Sequence, residues 1–214
     1  MTIRPASDRS LLVSFGDEIS LDAHRSVVGL TRVLQGLRGI LNLHPAFTSV
    51  LIDFDPRLRD HDEVAAWVRE RWDRPTEAHA LERRTVEIPV RFGGECGPDL
   101  DEVSRHTGFA AGEVIERFCA AELEVYFVGF STCFPYLGGL PAELSTPRLR
   151  APRRHVPEGS VAIGGSQAGV YPLASPGGWR LIGRTSLRLF DAAAEPPPLL
   201  RMGDRVIFVP EGRP

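Results

Sequence analysis

The sequence predicts an α+β protein with a small N-terminal domain and a larger C-terminal domain rich in strands. Strand and helix signals alternate over roughly the first 80 of the 214 residues, which is typical of a sheet covered by helices. A polar stretch at residues 73–84 then interrupts the pattern. Beyond Pro135, glycine and proline recur every few residues between short apolar runs. We therefore expect one domain at residues 1–82 and a second at residues 83–214.

The N-terminal domain is predicted to run in the order β-α-β-β-α. Ser20 is a residue type preferred just before a helix, and Gly39 is a type preferred just after one. Apolar residues also repeat at helical spacing near Val64. The predicted elements are a strand at 10–15, a helix at 20–38, strands at 40–44 and 48–54, and a helix at 61–72. This order favours a small α+β sandwich, with helices on one face of an antiparallel sheet.

The C-terminal domain is predicted to open with a half-buried strand, because Val86, Ile88 and Val90 alternate with polar residues. Two short helices and several short strands should follow. They are helices at 99–106 and 111–120, a strand at 123–130, and apolar runs at 160–163, 179–182, 186–190 and 205–209. Short strands separated by glycine and proline are typical of a β-barrel or a β-sandwich.

The composition excludes several classes of function. All 25 basic residues are arginine, so chemistry that needs a Schiff-base lysine or a P-loop lysine is excluded. The formal charge of -3 gives no support to nucleic-acid binding. No apolar run approaches the roughly 20 residues that span a bilayer, and residues 1–10 lack the apolar core of a signal peptide. We therefore expect a cytoplasmic protein that binds neither nucleic acid nor membrane.

The cysteines and histidines predict neither a disulfide framework nor a metal site. Cys96, Cys119 and Cys133 are odd in number and show no C-x-x-C spacing. The six histidines are scattered along the chain without the spacing of metal ligands.

The densest group of unusual residues is the glycine-rich segment 164–179, which contains five glycines. Glycines let a backbone approach a ligand closely and direct N–H groups at an anionic oxygen. Gln167, Tyr171 and Ser175 would add side-chain donors, and Trp179 would add a flat wall. The alternative is that the glycines only supply positive φ angles at tight turns. The interleaved glutamine, tyrosine and tryptophan favour a binding site, since turns do not need them.

Two motif look-alikes in this segment fail on context. The glycines follow an apolar run as in a dinucleotide fold, but Pro172 and Pro176 forbid the helix that would hold a pyrophosphate. The sequence around Ser166 has the shape of a nucleophile elbow, yet again no helix follows. We therefore expect neither a Rossmann site nor a serine nucleophile.

Two further clusters are candidates for binding. Residues 129–141 are predicted to be a strand end running into an aromatic, glycine-rich loop, in which Cys133 is expected to be packed and inert. Residues 147–155 carry four arginines and no acid, so they form either a solvated loop or a grip for a carboxylate or phosphate. Arg184 is the stronger single candidate, because a lone arginine on a barrel strand is expected to have a partner.

The same segments resemble a known family. Residues 161–185 read VAIGGSQAGVYPLASPGGWRLIGRT, and they are followed by LFD at 189–191, PLL at 198–200 and GDRVIF at 203–208. With YLGGL at 136–140, they are similar to the allophanate hydrolase subunit 1 family, which includes the B subunit of 5-oxoprolinase and the Kip inhibitor of a sporulation histidine kinase. The resemblance covers nearly the whole chain and is most specific in about the last 90 residues.

The resemblance implies that the second domain is a cyclophilin-like β-barrel and that the chain is the B subunit of an ATP-dependent 5-oxoprolinase. That hydrolase opens the cyclic amide of 5-oxo-L-proline to L-glutamate, together with an A subunit and a homologous C subunit (allophanate hydrolase subunit 2). ATP would be a co-substrate of the complex, and the resemblance leaves open which of the three chains binds it. The alternatives are an inhibitor that binds a sensor histidine kinase and a carboxyltransferase-type subunit of urea or allophanate metabolism.

On this interpretation the chain provides substrate-binding residues, while no catalytic residue is assigned. They are Gly164, Gly165, Gln167, Tyr171, Ser175, Gly177, Gly178, Trp179, Arg184 and Tyr136. The chain departs from the family at Thr132-Cys133, where Pro-Gly is usual. We expect the loop or its ligand contact to differ there.

Overall fold

The computed structural model describes residues 1–72 and 84–211. The chain divides into two compact units, Met1–Glu82 and Arg83–Pro214. Residues 73–83 of the predicted polar linker lie outside the described residues.

The first unit is a four-stranded antiparallel sheet with two helices. Its strands are β1 (Thr2–Ser7), β2 (Ser10–Ser14), β3 (Ile40–Pro45) and β4 (Ser49–Phe54), and its helices are α1 (Leu21–Leu34) and α2 (His61–Trp72). The strand order is β1-β2-β4-β3. Both helices contact the sheet and each other. Apolar side chains such as Val13, Val27 and Ile52 are fully buried between these layers.

Two features of this unit differ from the prediction. The strand β1 was missed because its side chains are nearly all exposed and Pro5 interrupts them, as suits an edge strand. Helix α1 begins as predicted, with Ser20 Oγ accepting the Ala23 N–H at 3.2 Å. It ends at Leu34 rather than near residue 38, because the chain leaves the helix just before Gly36, whose φ is 76°.

The second unit contains a closed seven-stranded barrel. The strands of the described part of this unit are β5 (Thr85–Phe92), β6 (Leu123–Gly129), β7 (Phe134–Gly138), β8 (Arg153–Val156), β9 (Ser160–Gly164), β10 (Gln167–Val170), β11 (Ser175–Gly177), β12 (Arg180–Arg184) and β13 (Arg205–Pro210). The barrel order is β10-β7-β6-β13-β5-β12-β9, and β8 pairs with β11 in a separate small sheet. The structure thus confirms the α+β class and shows a barrel rather than a sandwich.

Two helices between β5 and β6 pack on the barrel. They are α3 (Leu100–Thr107) and α4 (Ala111–Ala120); α3 contacts β12 and α4 contacts β13. Phe118 of α4 stacks on Phe208 of β13 with ring centroids 4.9 Å apart. Val103 and Val114 are fully buried in the same core.

Three local features of this unit differ from the prediction. The predicted loop at 129–141 contains the strand β7, and the glycine-rich segment 164–179 contains the strands β10 and β11, which were not predicted. The predicted strand at 186–190 makes only an isolated bridge between Phe190 and Pro198. Apolar runs cannot by themselves distinguish a strand from a buried irregular segment.

None of the described helices is long and apolar enough to cross a membrane. Within residues 1–72 and 84–211, no three histidine, cysteine or acidic side chains are grouped so that they could hold a metal ion. All three cysteines are free thiols.

Candidate functional site

A cavity of about 330 Å³ opens on the barrel unit. Strand β7 contributes two aromatic residues to it. One wall is formed by the residue after β10, the strand β11 and the two residues before β12. The segment that precedes β8 and the tip of the β6–β7 hairpin complete it. The lining residues are Phe130, Phe134, Tyr136, Arg148, Leu149, Pro152, Tyr171, Pro176, Gly177, Gly178 and Trp179.

The floor of the cavity is a cluster of aromatic rings centred on Phe134. The Phe134 ring lies 4.9 Å from Tyr136, 5.0 Å from Tyr171 and 5.4 Å from Trp179, each time edge to face. Phe127 stacks on the other side of Tyr136 at 4.4 Å. Edge-to-face contacts of this kind fix ring orientation as well as burying area. The floor is therefore a preformed aromatic surface.

Two glycines let the backbone lie directly against these rings. A Cβ atom on Gly164 would lie 2.3 Å from the Trp179 indole, and one on Gly177 would lie 2.2 Å from the Tyr171 hydroxyl. Real Cβ atoms do not approach other atoms so closely. At these positions, glycine is needed for the aromatic side chains to seat against the backbone.

The two tyrosines at the cavity are neutral at physiological pH. Burial raises the pKa of the Tyr171 hydroxyl, while the Trp179 backbone N–H and the positive charge of Arg148 act in the opposite direction. Burial likewise raises the pKa of Tyr136, against a smaller effect of Arg148. Both hydroxyls therefore keep a proton that can be donated in a hydrogen bond.

The cavity carries a positive charge at its rim. The Arg148 guanidinium carbon lies 5.3 Å from the centroid of the Trp179 ring, within the range of a cation–π contact. Among the described lining residues no acid is present to neutralise it.

Other arginines near the cavity are held by acids of the α3 region. Arg153 donates to Asp99 Oδ1 at 2.6 Å, and the other oxygen of Asp99 accepts the Leu181 backbone N–H at 2.7 Å. Arg180 lies 2.6 Å from a carboxylate oxygen of Glu102. Asp99 is only 5% exposed, so its bonds to Arg153 and to the Leu181 N–H form a buried clamp that joins the start of α3 to β8 and β12.

A family model described as the carboxyltransferase domain, subdomains C and D, matches residues 1–200. The chain belongs to this family.

Relatives within this carboxyltransferase-domain family match nearly the full chain. The 5-oxoprolinase B subunit of Escherichia coli O157:H7 is 42% identical, over 95% of this chain and 93% of its own length. That of Bacillus subtilis (strain 168) is 39% identical, over 97% of this chain and 91% of its own length. The crystal structure of TTHA0988 is 34% identical with a TM-score of 0.82; it covers 96% of this chain, which spans 40% of that protein. The sequence resemblance is thus confirmed.

Five of the predicted site residues line the cavity of this carboxyltransferase-domain protein. They are Tyr136, Tyr171, Gly177, Gly178 and Trp179. Gly164 does not line the cavity, but its backbone packs against the Trp179 indole.

The other predicted site residues lie outside the cavity. Gly165, with a φ of 69°, forms the turn between β9 and β10. Gln167 is buried on β10, and its amide nitrogen makes no hydrogen bond to a described residue. Ser175 Oγ donates to the Pro176 carbonyl at 3.3 Å. Arg184 lies at the far end of β12, four residues or about 13 Å from Arg180, and forms no ion pair with a described residue. Its predicted partner is therefore absent from that part of the chain.

The sequence reasoning missed several lining residues. Phe130, Phe134, Leu149, Pro152 and Pro176 were not singled out, and Arg148 was named only as part of an arginine run. Phe130 and Phe134 belong to the aromatic segment 129–141, and its unusual aromatic content could have indicated that they line a site.

The tip of the β6–β7 hairpin is a strained turn. Phe130 and Cys133 both have positive φ angles, 63° and 60°, which side-chain-bearing residues rarely adopt. Phe130 is 68% exposed at the cavity rim. Burial raises the pKa of the Cys133 thiol, which is therefore protonated and a poor nucleophile at neutral pH. Cys133 adopts a left-handed conformation that glycine favours.

We expect Cys133→Gly to be more stable than Cys133→Ala by about 1 kcal/mol, because glycine adopts positive φ without steric cost. Urea unfolding of the two variants measures the difference, and the alanine variant accounts for loss of the thiol. The same comparison at Thr132, whose φ is not positive, should show no gain for glycine. If Cys133→Gly were no more stable than Cys133→Ala, the backbone at residue 133 would not be strained.

Proposed function

We propose that the chain is the B subunit of an ATP-dependent 5-oxoprolinase, which opens 5-oxo-L-proline to L-glutamate together with its A and C subunits. The observation that carries this proposal is the similarity to two 5-oxoprolinase B subunits, at 39–42% identity over more than nine tenths of each chain. Such a complex would hydrolyse ATP in the cytoplasm.

The cavity supports this proposal through its size and chemistry. Its volume of about 330 Å³ lies at the lower end of the range for small-ligand sites. The aromatic floor suits one face of a five-membered ring, and the Tyr136 and Tyr171 hydroxyls can donate to an amide oxygen. A lactam is a poor electrophile, and donors aimed at its oxygen stabilise the charge that develops there on attack.

The cavity lining contains no carboxylate, imidazole or thiol among its described residues. Its two tyrosines have raised pKa values and are protonated at neutral pH, so the lining offers no strong general base or nucleophile. Phosphoryl transfer from ATP also requires groups that neutralise several phosphate oxygens. We infer that this chain binds and orients the cyclic amide, while the partner subunits bind ATP and supply the catalytic groups.

Reconstitution tests the proposal directly. The chain is co-expressed with the A and C subunits, and glutamate formation is measured with and without ATP and 5-oxoproline. We expect glutamate only when all three subunits and both substrates are present. An unchanged rate without this chain, or no glutamate with the full set, would overturn the proposal.

A carboxyltransferase-type role in urea metabolism is the second candidate, because the family model describes a carboxyltransferase domain. The same preparation, given urea, bicarbonate and ATP, distinguishes the two. Urea-dependent ATP consumption without glutamate formation would favour the second candidate. Loss of autophosphorylation by a purified sensor kinase, again without glutamate formation, would favour the regulatory alternative.

A further inference from the structure

Arg148 is the only charged residue among the described residues that line the cavity. It forms no ion pair with a described residue, although arginines are abundant around it. Arg153 and Arg180 are neutralised by Asp99 and Glu102, whereas Arg148 is not. Of the arginines in the run 147–155 that form no ion pair with a described residue, Arg148 is the one that lines the cavity.

The backbone on both sides of Arg148 is held in place. Arg180 Nε donates to the Pro147 carbonyl at 3.0 Å, so a neutralised arginine anchors the preceding residue. The Leu149 N–H donates to the Gly178 carbonyl at 2.7 Å, which joins the following residue to the cavity wall. An anchored backbone lowers the entropic cost of fixing the side chain on a ligand.

The side chains of Arg148, Tyr136 and Tyr171 line the same cavity. The charge of Arg148 acts on both tyrosine hydroxyls. A planar guanidinium pairs with a carboxylate through two parallel hydrogen bonds. The hydroxyls can donate to a neutral acceptor such as an amide oxygen, and the Phe134–Trp179 surface can contact an apolar ring.

We propose that Arg148 makes the cavity selective for small ring compounds that carry a carboxylate. The guanidinium binds the carboxylate, the aromatic floor contacts the ring and the tyrosine hydroxyls bind a ring carbonyl. Applied to 5-oxoproline, this inference rests on the proposed function. The selectivity of the cavity for a carboxylate over the corresponding neutral carboxamide does not depend on the proposed function.

Ligand binding to the full chain is measured by titration calorimetry at low salt. The probes are 5-oxoproline, its neutral carboxamide and cyclopentanecarboxylate, which keeps the ring and the carboxylate but lacks the lactam. We expect 5-oxoproline to bind at least about 10-fold more tightly than the carboxamide. Arg148→Gln should remove this preference. The matched control is Arg150→Gln, since Arg150 is exposed two residues away and does not line the cavity.

A second measurement uses the complex with the A and C subunits. Arg148→Gln is expected to raise KM for 5-oxoproline at least about 10-fold, with a smaller change in kcat, because a binding contact is lost. Arg150→Gln should leave both constants unchanged.

The outcomes separate this inference from the proposed function. If cyclopentanecarboxylate binds in an Arg148-dependent manner but 5-oxoproline does not bind, the anion selectivity holds and the proposed function fails. If the complex forms glutamate with the same KM in the Arg148→Gln variant, the proposed function holds and the inference is overturned. Equal affinity for acid and carboxamide, or no saturable binding of any probe to chain or complex, also overturns the inference.

Discussion

Gly164→Ala is expected to destroy the cavity wall. The new Cβ would overlap the Trp179 indole at 2.3 Å, and the ring cannot move aside freely because Phe134 and Tyr136 lie 5.4 and 5.7 Å from it. Overpacking of this kind costs about 1–3 kcal/mol. We expect that loss in urea unfolding, together with a loss of 5-oxoproline affinity of about 10-fold or more in calorimetry, because the displaced indole fills the cavity.

Removing the ring should relieve the overlap. The double variant Gly164→Ala/Trp179→Ala is expected to be more stable than the sum of the two single effects, since the pair is in direct contact. Gly112→Ala in α4 is the matched control, because nothing lies within 4 Å of its Cβ, and it should not lower stability. Unchanged stability of Gly164→Ala would contradict the close contact.

Asp99→Ala should cause the largest loss of stability. It would leave Arg153 without its counter-charge and the buried Leu181 N–H without an acceptor. Removing one partner of a buried pair costs about 3–5 kcal/mol, and the partial exposure of Arg153 places our expectation near the lower figure. Urea unfolding of the full chain measures the loss.

Removing the unpaired positive charge of Arg153 as well should recover part of that stability. We expect Asp99→Ala/Arg153→Met to be more stable than Asp99→Ala alone. Asp101→Ala, exposed two residues along the chain, should change stability by no more than about 0.5 kcal/mol. A cost below about 1 kcal/mol for Asp99→Ala would show that the clamp is not important for folding.

Local signals in the sequence predicted most elements but not their long-range arrangement. The helix His61–Trp72 was predicted with its observed bounds, because its apolar spacing is a local signal. The choice between barrel and sandwich depended on pairs such as β13 with β5, about 120 residues apart, which no local pattern encodes. The strands inside the glycine-rich segment were missed because glycine is rare in strands.

The same limit applies to the candidate site. Trp179 and Tyr171 were predicted from unusual residue types, and both line the cavity. Arg184 was favoured over Arg148 because it stands alone on a strand. The choice between them depends on position in the fold, since Arg148 reaches the cavity and Arg184 does not. Gly164 was interpreted as approaching a ligand, whereas its backbone approaches an indole ring of the same chain.

The pairing of strands that closes the barrel also determines when the barrel can close during synthesis of the chain. Strand β13 lies between β5 and β6, parallel to β5 from Thr85 to Val90. A ribosome therefore releases both neighbours long before the strand that joins them. Until then β5 and β6 present unpaired backbone edges, which are templates for intermolecular association. Closure over so long a segment also implies a high contact order and a slow folding step.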